Sequence, residues 1–171
     1  GNVAVGSGTL KMNTTGGYNT ALGYIALNQN TIGVHNVAIG NGALYLNTTG
    51  NNNVGVGNYT LERNTTGVYN TAVGFMSLKL NTIGTYNTAV GATALYNNTT
   101  GTQNVAIGQS ALYDNTIGKY NIAVGNDALV NNTTAESNIA IGFQSLFANT
   151  TGQYNTAIGR DALVASVSAI H

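Results

Sequence analysis

The chain has 171 residues, with five Lys or Arg against five Asp or Glu and a formal net charge of zero. So few charges argue against the basic surface of a nucleic-acid-binding protein and the basic face of a membrane-surface helix. The absence of Cys excludes a disulfide framework and thiolate metal ligands, and no apolar run reaches the length of a membrane span.

Along the chain, one 17-residue unit is repeated ten times without insertion or deletion, and each unit begins with an Asn, from Asn2 to Asn155. With that Asn as position 1, the unit reads N-[TVI]-A-[VIL]-G-x-x-[AST]-L-x-x-N-T-[TI]-G-x-x. The pattern is broken by Gly55 at position 3, by Ala135 at position 15 and, in the last copy, from Ser166 onward. The unit is rich in Val, Ile, Thr, Tyr, Gly and Asn, shows no helical periodicity, and the chain contains no Pro. The pattern therefore predicts an all-β fold, a parallel β-solenoid (β-roll) of ten 17-residue coils.

Positions 2 to 4 of each unit predict a short strand. Position 4 is always Val, Ile or Leu, as at Val5 and Val90, and we expect it to point inward together with the Leu at position 9. Small residues at positions 3 and 8 are then expected where something packs closely, either a neighbouring chain or the wall of a thin coil. Gly at position 5 predicts a bend with positive φ or a close backbone approach.

The Asn-Thr-[Thr/Ile]-Gly segment at positions 12 to 15 predicts a second corner, and the Asn columns at positions 1 and 12 predict stacked amide ladders. Thr and Ile exchange at position 14, which hints at an inward side chain. Six position-12 asparagines are possible glycosylation sites: Asn13, Asn47, Asn64, Asn98, Asn132 and Asn149. Alternatively these sequons are a by-product of corner chemistry, and the Thr hydroxyls of position 13 could instead carry O-linked sugar.

Every charged residue and every Tyr falls at position 6, 7, 10, 11, 16 or 17, so these positions are predicted to form the solvent rows. Rows of surface Tyr are often used in carbohydrate or protein contacts, although Tyr also simply fills β surfaces. The possible ligand-contact surface comprises Tyr18, Tyr69, Tyr86, Tyr120, Tyr154, Tyr45, Tyr96 and Tyr113.

No catalytic, cofactor-binding or metal site is predicted, and the chain is not expected to be an enzyme. The two histidines, His35 and His171, stand eight coils apart in one column. The acidic residues are scattered, whereas a calcium-binding β-roll needs an Asp in each coil and a polysaccharide-processing solenoid needs clustered carboxylates.

The repeated pentapeptide resembles known surface repeats. Asn70-Thr-Ala-Val-Gly74 and Asn36-Val-Ala-Ile-Gly40, with the following Ala-Leu and Asn-Thr-Thr-Gly segments, look like the repeats of phage tail-fibre-like proteins and bacterial surface proteins. They are also similar to the Asn-Ser-Val-Ala-Ile-Gly motif in the head of trimeric autotransporter adhesins. The resemblance implies a left-handed β-roll with three chains around one axis, acting as an adhesive head or fibre shaft.

We therefore expect residues 1–164 to form a single solenoid and residues 165–171 to form an exit segment or the start of a following element. The expected function is a structural or adhesive segment of an extracellular fibre, on a cell surface or a virion. The expected partners are the chain itself, as a homotrimer or an end-to-end filament, and a surface glycan or host protein, without nucleic acid or membrane insertion. The alternatives are a glycosylated extracellular filament and an ice-binding solenoid that uses the Thr column.

Overall fold

The computed structural model describes residues 1–165 and 167, and these residues form a parallel β-solenoid. Each coil contributes one three-residue strand: β1 Val3–Val5, β2 Thr20–Leu22, β3 Val37–Ile39, β4 Val54–Val56, β5 Thr71–Val73, β6 Thr88–Val90, β7 Val105–Ile107, β8 Ile122–Val124, β9 Ile139–Ile141 and β10 Thr156–Ile158. The strands form one parallel sheet in chain order, and each pairs with the next at an offset of 17 residues. The predicted fold class is thus confirmed. Most of the predicted exit segment, residues 165–171, lies outside the described residues, so the boundary at residue 165 stays a prediction.

Hydrogen bonds between coils continue around the turns that follow each strand. In the third coil, Gly40 N–H donates to Leu22 of the preceding coil at 2.8 Å, whereas Leu44 N–H donates to Thr60 of the next coil at 2.9 Å. Leu46 N–H likewise donates to Glu62 of the next coil at 2.9 Å. A coil is therefore tied to its neighbours on several sides, although only three of its residues form a regular strand.

The core is lined by the Leu of position 9 and by the small residues of positions 3 and 8. Leu44, Leu61 and Leu95 are fully buried, as are Ala38 and Ala43. Burying one Leu side chain contributes about 1.5–3 kcal/mol. The inward Leu column is confirmed, but each coil adds only a thin apolar layer around it.

The prediction for position 4 was wrong, because this side chain points outward. Leu22 is 46% exposed and Ile107 is 41% exposed, whereas the position-3 alanines Ala21 and Ala106 are fully buried. A Cβ placed at Gly55, which replaces Ala at position 3, would lie 3.6 Å from Leu44 Cδ1. Position 3 therefore packs directly on the Leu column, and the small residues fit a thin coil. Position 14 also points outward, against the hint from the Thr/Ile exchange, since Ile83 is 53% exposed.

Non-glycine residues adopt the left-handed conformation at positions 7, 9 and 17. The buried Leu44 has a φ of 53° and Tyr69 has a φ of 56°. Such a φ costs an L-residue roughly 1–2 kcal/mol. At position 9 it lets one residue bury its side chain and donate its N–H along the rod axis to the next coil, and these interactions offset the cost.

The Gly at position 5 meets both conditions predicted for it. Gly91 has a φ of 135°, and a Cβ at this residue would lie 2.5 Å from the carbonyl oxygen of Gly108 in the next coil. A side chain here would separate adjacent coils, which explains why position 5 is Gly in every coil.

Candidate functional site

The asparagines of position 1 form a buried amide ladder along the rod. Asn87 Nδ2 donates to Asn70 Oδ1 of the preceding coil at 3.2 Å and to Gly101 O of its own coil at 2.9 Å. Asn87 N–H also donates to Asn70 Oδ1, at 3.0 Å. One side chain thus holds the coil to its neighbour, as predicted for the Asn columns, and it also closes the coil on itself.

The asparagines of position 12 form a second ladder beside the first. Asn98 Nδ2 donates to Asn81 Oδ1 at 2.8 Å and to Gly101 O at 3.1 Å. The carbonyl of Gly101 therefore accepts one amide from each ladder. A Cβ at Gly101 would clash with Asn98 Oδ1, so the close approach of the ladder favours Gly at position 15, although Ala135 occupies this position in the eighth coil.

The possible glycosylation sites belong to this second ladder. Asn47, Asn64, Asn98, Asn132 and Asn149 are fully buried, and Asn13 in the first coil is half-buried. The Nδ2 atom of each donates to the carbonyl oxygen at position 15 of its own coil. A glycan on Nδ2 has no space inside the coil, so burial favours the interpretation that these sequons are a by-product of the corner.

The Tyr residues of position 17 form an exposed row along one corner. Tyr18, Tyr69, Tyr86, Tyr120 and Tyr154 are 50–69% exposed. Two pairs of rings from adjacent coils stack in this row: Tyr69 and Tyr86 have ring centroids 5.0 Å apart, as do Tyr18 and His35. In these pairs the stacked rings cover each other's inner faces, so edges and hydroxyls are the atoms that the pairs mainly offer to a ligand.

The Tyr residues of position 10 are less accessible. Tyr45, Tyr96 and Tyr113 are half-buried, and the rings of Tyr96 and Tyr113 stack at 5.1 Å. Lys79 Nζ lies 5.9 Å from the centroid of Tyr96 and 3.4 Å from Glu62 Oε2. The side chains of this row already contact one another, so the exposed Tyr row at position 17 is the better candidate contact surface.

The Thr column of position 13 is bound to the backbone. Thr31 Oγ1 donates to Thr48 O of the next coil at 3.0 Å, and the N–H groups of Thr31, Ile32 and Gly33 converge on the same oxygen at 3.0–3.3 Å. The same Oγ1 contact is made from Thr14 through Thr150. These hydroxyl protons are therefore used within the rod, which weakens both the ice-binding and the O-glycosylation alternatives.

The outward face of the ten-stranded sheet is formed by positions 2 and 4 and carries only aliphatic side chains and Thr. In the central coils, Val73 and Val90 are 37% exposed and Ile107 is 41% exposed. We call this surface the sheet face. No charged residue occurs at either position.

In the part of the chain that the structure describes, no three His, Cys, Asp or Glu side chains come together as metal ligands, and no pocket is found. Within the same residues, no helix is long and apolar enough to cross a bilayer. A scan against protein-family models, a search of curated proteins and a search of solved structures each gave no match to this chain. The likeness to tail-fibre and adhesin repeats therefore rests on the repeated residues themselves.

Proposed function

We propose that this chain is a structural segment of an extracellular fibre, on a cell surface or a virion. The observation that carries the proposal is the unbroken register: every strand from β1 to β10 pairs with its neighbour at the same 17-residue offset. Ten strands about 4.8 Å apart span a rod of roughly 43 Å. A rod built this way provides length and stiffness, which are the properties required of a fibre segment.

The rod also separates the residues that build it from the residues that vary. Positions 1, 3, 5, 8, 9, 12 and 15 face the interior or the neighbouring coil, whereas the Tyr and charged residues project from other columns. An adhesive role would use the exposed Tyr row at position 17, with its hydroxyls hydrogen-bonding a glycan or a host protein and its rings packing against that partner. In the assembled fibre, copies would associate as the homotrimer that the adhesin resemblance implies or as an end-to-end filament.

Immunogold electron microscopy tests the fibre role. Antibodies against this chain, applied to intact source cells or particles, are expected to label extended surface structures. Labelling confined to the cell interior, after permeabilisation, would contradict the proposal.

The adhesive role has a separate test in a binding assay on a panel of glycans and host surface proteins. Replacing Tyr69 and Tyr86 by Ala is expected to abolish binding, because both rings are more than half exposed. Replacing the half-buried Tyr96 and Tyr113 by Ala is the matched control, and it should leave binding unchanged. Equal loss in both pairs would point to a defect of the rod instead of a contact surface.

A further inference from the structure

We propose that the sheet face is an interface with a second copy of this chain. The inference deepens the proposed fibre function, since it rests on self-association and names the surface responsible. Its starting point is the outward orientation of position 4, where the branched aliphatic side chain is exposed in seven of the ten coils and partly exposed in the other three. Water contact at ten such residues in one continuous column is unfavourable, and contiguous apolar patches of this kind mark association sites.

The size of the sheet face fits a stable interface. Ten strands about 4.8 Å apart give a length of roughly 43 Å, and two outward columns about 7 Å apart give a width of roughly 14 Å with their side chains. The projected area is thus roughly 600 Å² per copy, or roughly 1,200 Å² over two copies. This value reaches the lower end of the range of about 1,200–2,000 Å² for specific protein interfaces.

A copy of the same chain matches this surface in shape and in charge. Positions 2 and 4 project β-branched or aliphatic side chains at the spacing of the coils, so a facing copy presents ridges with the same repeat. The charged residues, including Lys79 and Glu62, belong to other columns, so no charge is desolvated when two sheet faces meet. Two copies that face each other through these columns form a self-complementary contact, and three copies around one axis form a closed ring of equivalent contacts.

Other occupants fit the sheet face less well. A glycan needs hydrogen-bonding partners, and position 4 supplies none, while the Thr residues of position 2 are interrupted by Val and Ile. Flanking coils from an end-to-end filament would contact the terminal coils and would leave the sheet face exposed. Association through the sheet face is therefore lateral, whether two copies face each other or three surround one axis.

The test compares two triple variants in the same coils. The face variant carries Val73→Lys, Val90→Glu and Ile107→Lys, and the control carries Ile83→Lys, Thr100→Glu and Ile117→Lys at the exposed position 14. The introduced charges alternate in sign in both variants, so the attraction between charges in adjacent coils is the same in the two. Circular dichroism and thermal unfolding establish that both variants retain the fold.

Light scattering then gives the mass of the full chain against concentration. The unmodified chain and the control are expected to have the mass of two or three 17.5-kDa chains. The face variant should fall to one chain, with the dissociation constant raised about 100-fold or more. A single-chain mass for the unmodified protein up to roughly 100 μM, or equal losses in both variants, would overturn the proposal.

Cross-linking keeps the proposal testable if the face variant fails to fold. The chain has no native Cys, so Val90→Cys and Ile83→Cys each introduce one thiol. A bis-maleimide linker should join copies through Val90→Cys, and Ile83→Cys should remain uncoupled. Coupling at Ile83→Cys alone would overturn the interface. If antibodies label surface fibres but the chain does not associate laterally, the interface is wrong and the fibre function stands. If the chain associates but no surface labelling is seen, the fibre function is wrong and the interface stands.

Discussion

The sheet side and the asparagine side of each coil are both ladders, but different atoms hold them together. On the sheet side, positions 2 to 5, backbone groups pair with backbone groups, and Gly57 N–H donates to Ile39 O at 2.7 Å. On the asparagine side, positions 12 to 17 and 1, side-chain amides carry much of the pairing, as between Asn64 and Asn47. The comparison teaches that the sheet side accepts varied outward side chains, whereas the asparagine side depends on the identity of its inward ones.

The largest expected effect is the loss of an amide donor on the asparagine side. Asn87→Asp removes the Nδ2 donor to Asn70 Oδ1 and Gly101 O and places a carboxylate at a fully buried site. We expect the free energy of unfolding to fall by about 4 kcal/mol, measured by urea denaturation. Asn126→Asp at the partly exposed position 6 is the control, and an equal loss there would refute the special role of the ladder.

On the sheet side, substitution of the Gly at position 5 should reduce stability nearly as much. Gly91→Ala would bring a Cβ to within 2.5 Å of Gly108 O at a φ of 135°, so we expect a loss of about 3–4 kcal/mol. At Gly17 a Cβ meets nothing within 4 Å, so Gly17→Ala should change the unfolding midpoint little. Similar midpoints for the two variants would show that coil spacing is not set by the position-5 column.

The two aliphatic columns should differ in what they contribute to a single rod. Leu95→Ala opens a cavity at a fully buried site and is expected to cost about 3 kcal/mol. Val90→Ala trims a side chain that is 37% exposed and should cost less than about 1 kcal/mol in the dissociated chain. The free energy of unfolding of each variant, measured under conditions where copies dissociate, checks that Leu95→Ala costs more than Val90→Ala. A larger cost for Val90→Ala would mean that position 4 belongs to the core.

A smaller effect is expected where the fourth coil departs from the repeat. A Cβ at Gly55 would lie 2.9 Å from Thr60 Oγ1, so Gly here makes room for the Thr at position 8. We expect Gly55→Ala to cost about 1–2 kcal/mol alone and to be tolerated when combined with Thr60→Ala. A double-mutant cycle measures this coupling, and simple additivity would show that the two residues are independent.

The smallest effect should be a stabilisation on the asparagine side. Ala135 occupies the Gly position of the corner, and the Asn149-to-Asn132 ladder bond beside it is 3.2 Å, against 2.8 Å between Asn98 and Asn81. Ala135→Gly should relieve this crowding and raise stability by about 0.5 kcal/mol, despite the added freedom of the unfolded chain. Thermal unfolding checks the sign, and a lower midpoint would mean that the Ala is accommodated without strain.

Several features of the rod follow from particular residues of the sequence alone. The invariant spacing of Asn2 to Asn155 predicts the coil length and the register, because an insertion would displace every later side chain in its column. The Gly of position 5 and the two Asn columns were also interpreted correctly, since few residues tolerate such a backbone or stack as amides. The left-handed φ of Leu44 could not be predicted, because Leu has no local preference for it and only inter-coil bonding and burial compensate.

The sequence by itself determined that this chain is built from stacked coils of 17 residues, and which columns are fixed and which vary. Only the tertiary structure decided which face of the strand is inside. In a three-residue strand, alternation alone allows either positions 2 and 4 or position 3 to face the interior. Larger side chains usually take the interior, which favoured the wrong choice, positions 2 and 4. Here the Leu of position 9 fills a narrow coil, so the only space left beside it fits Ala, and the larger aliphatic side chains are turned outward. That packing constraint created the sheet face, the surface through which we propose that copies of this rod associate.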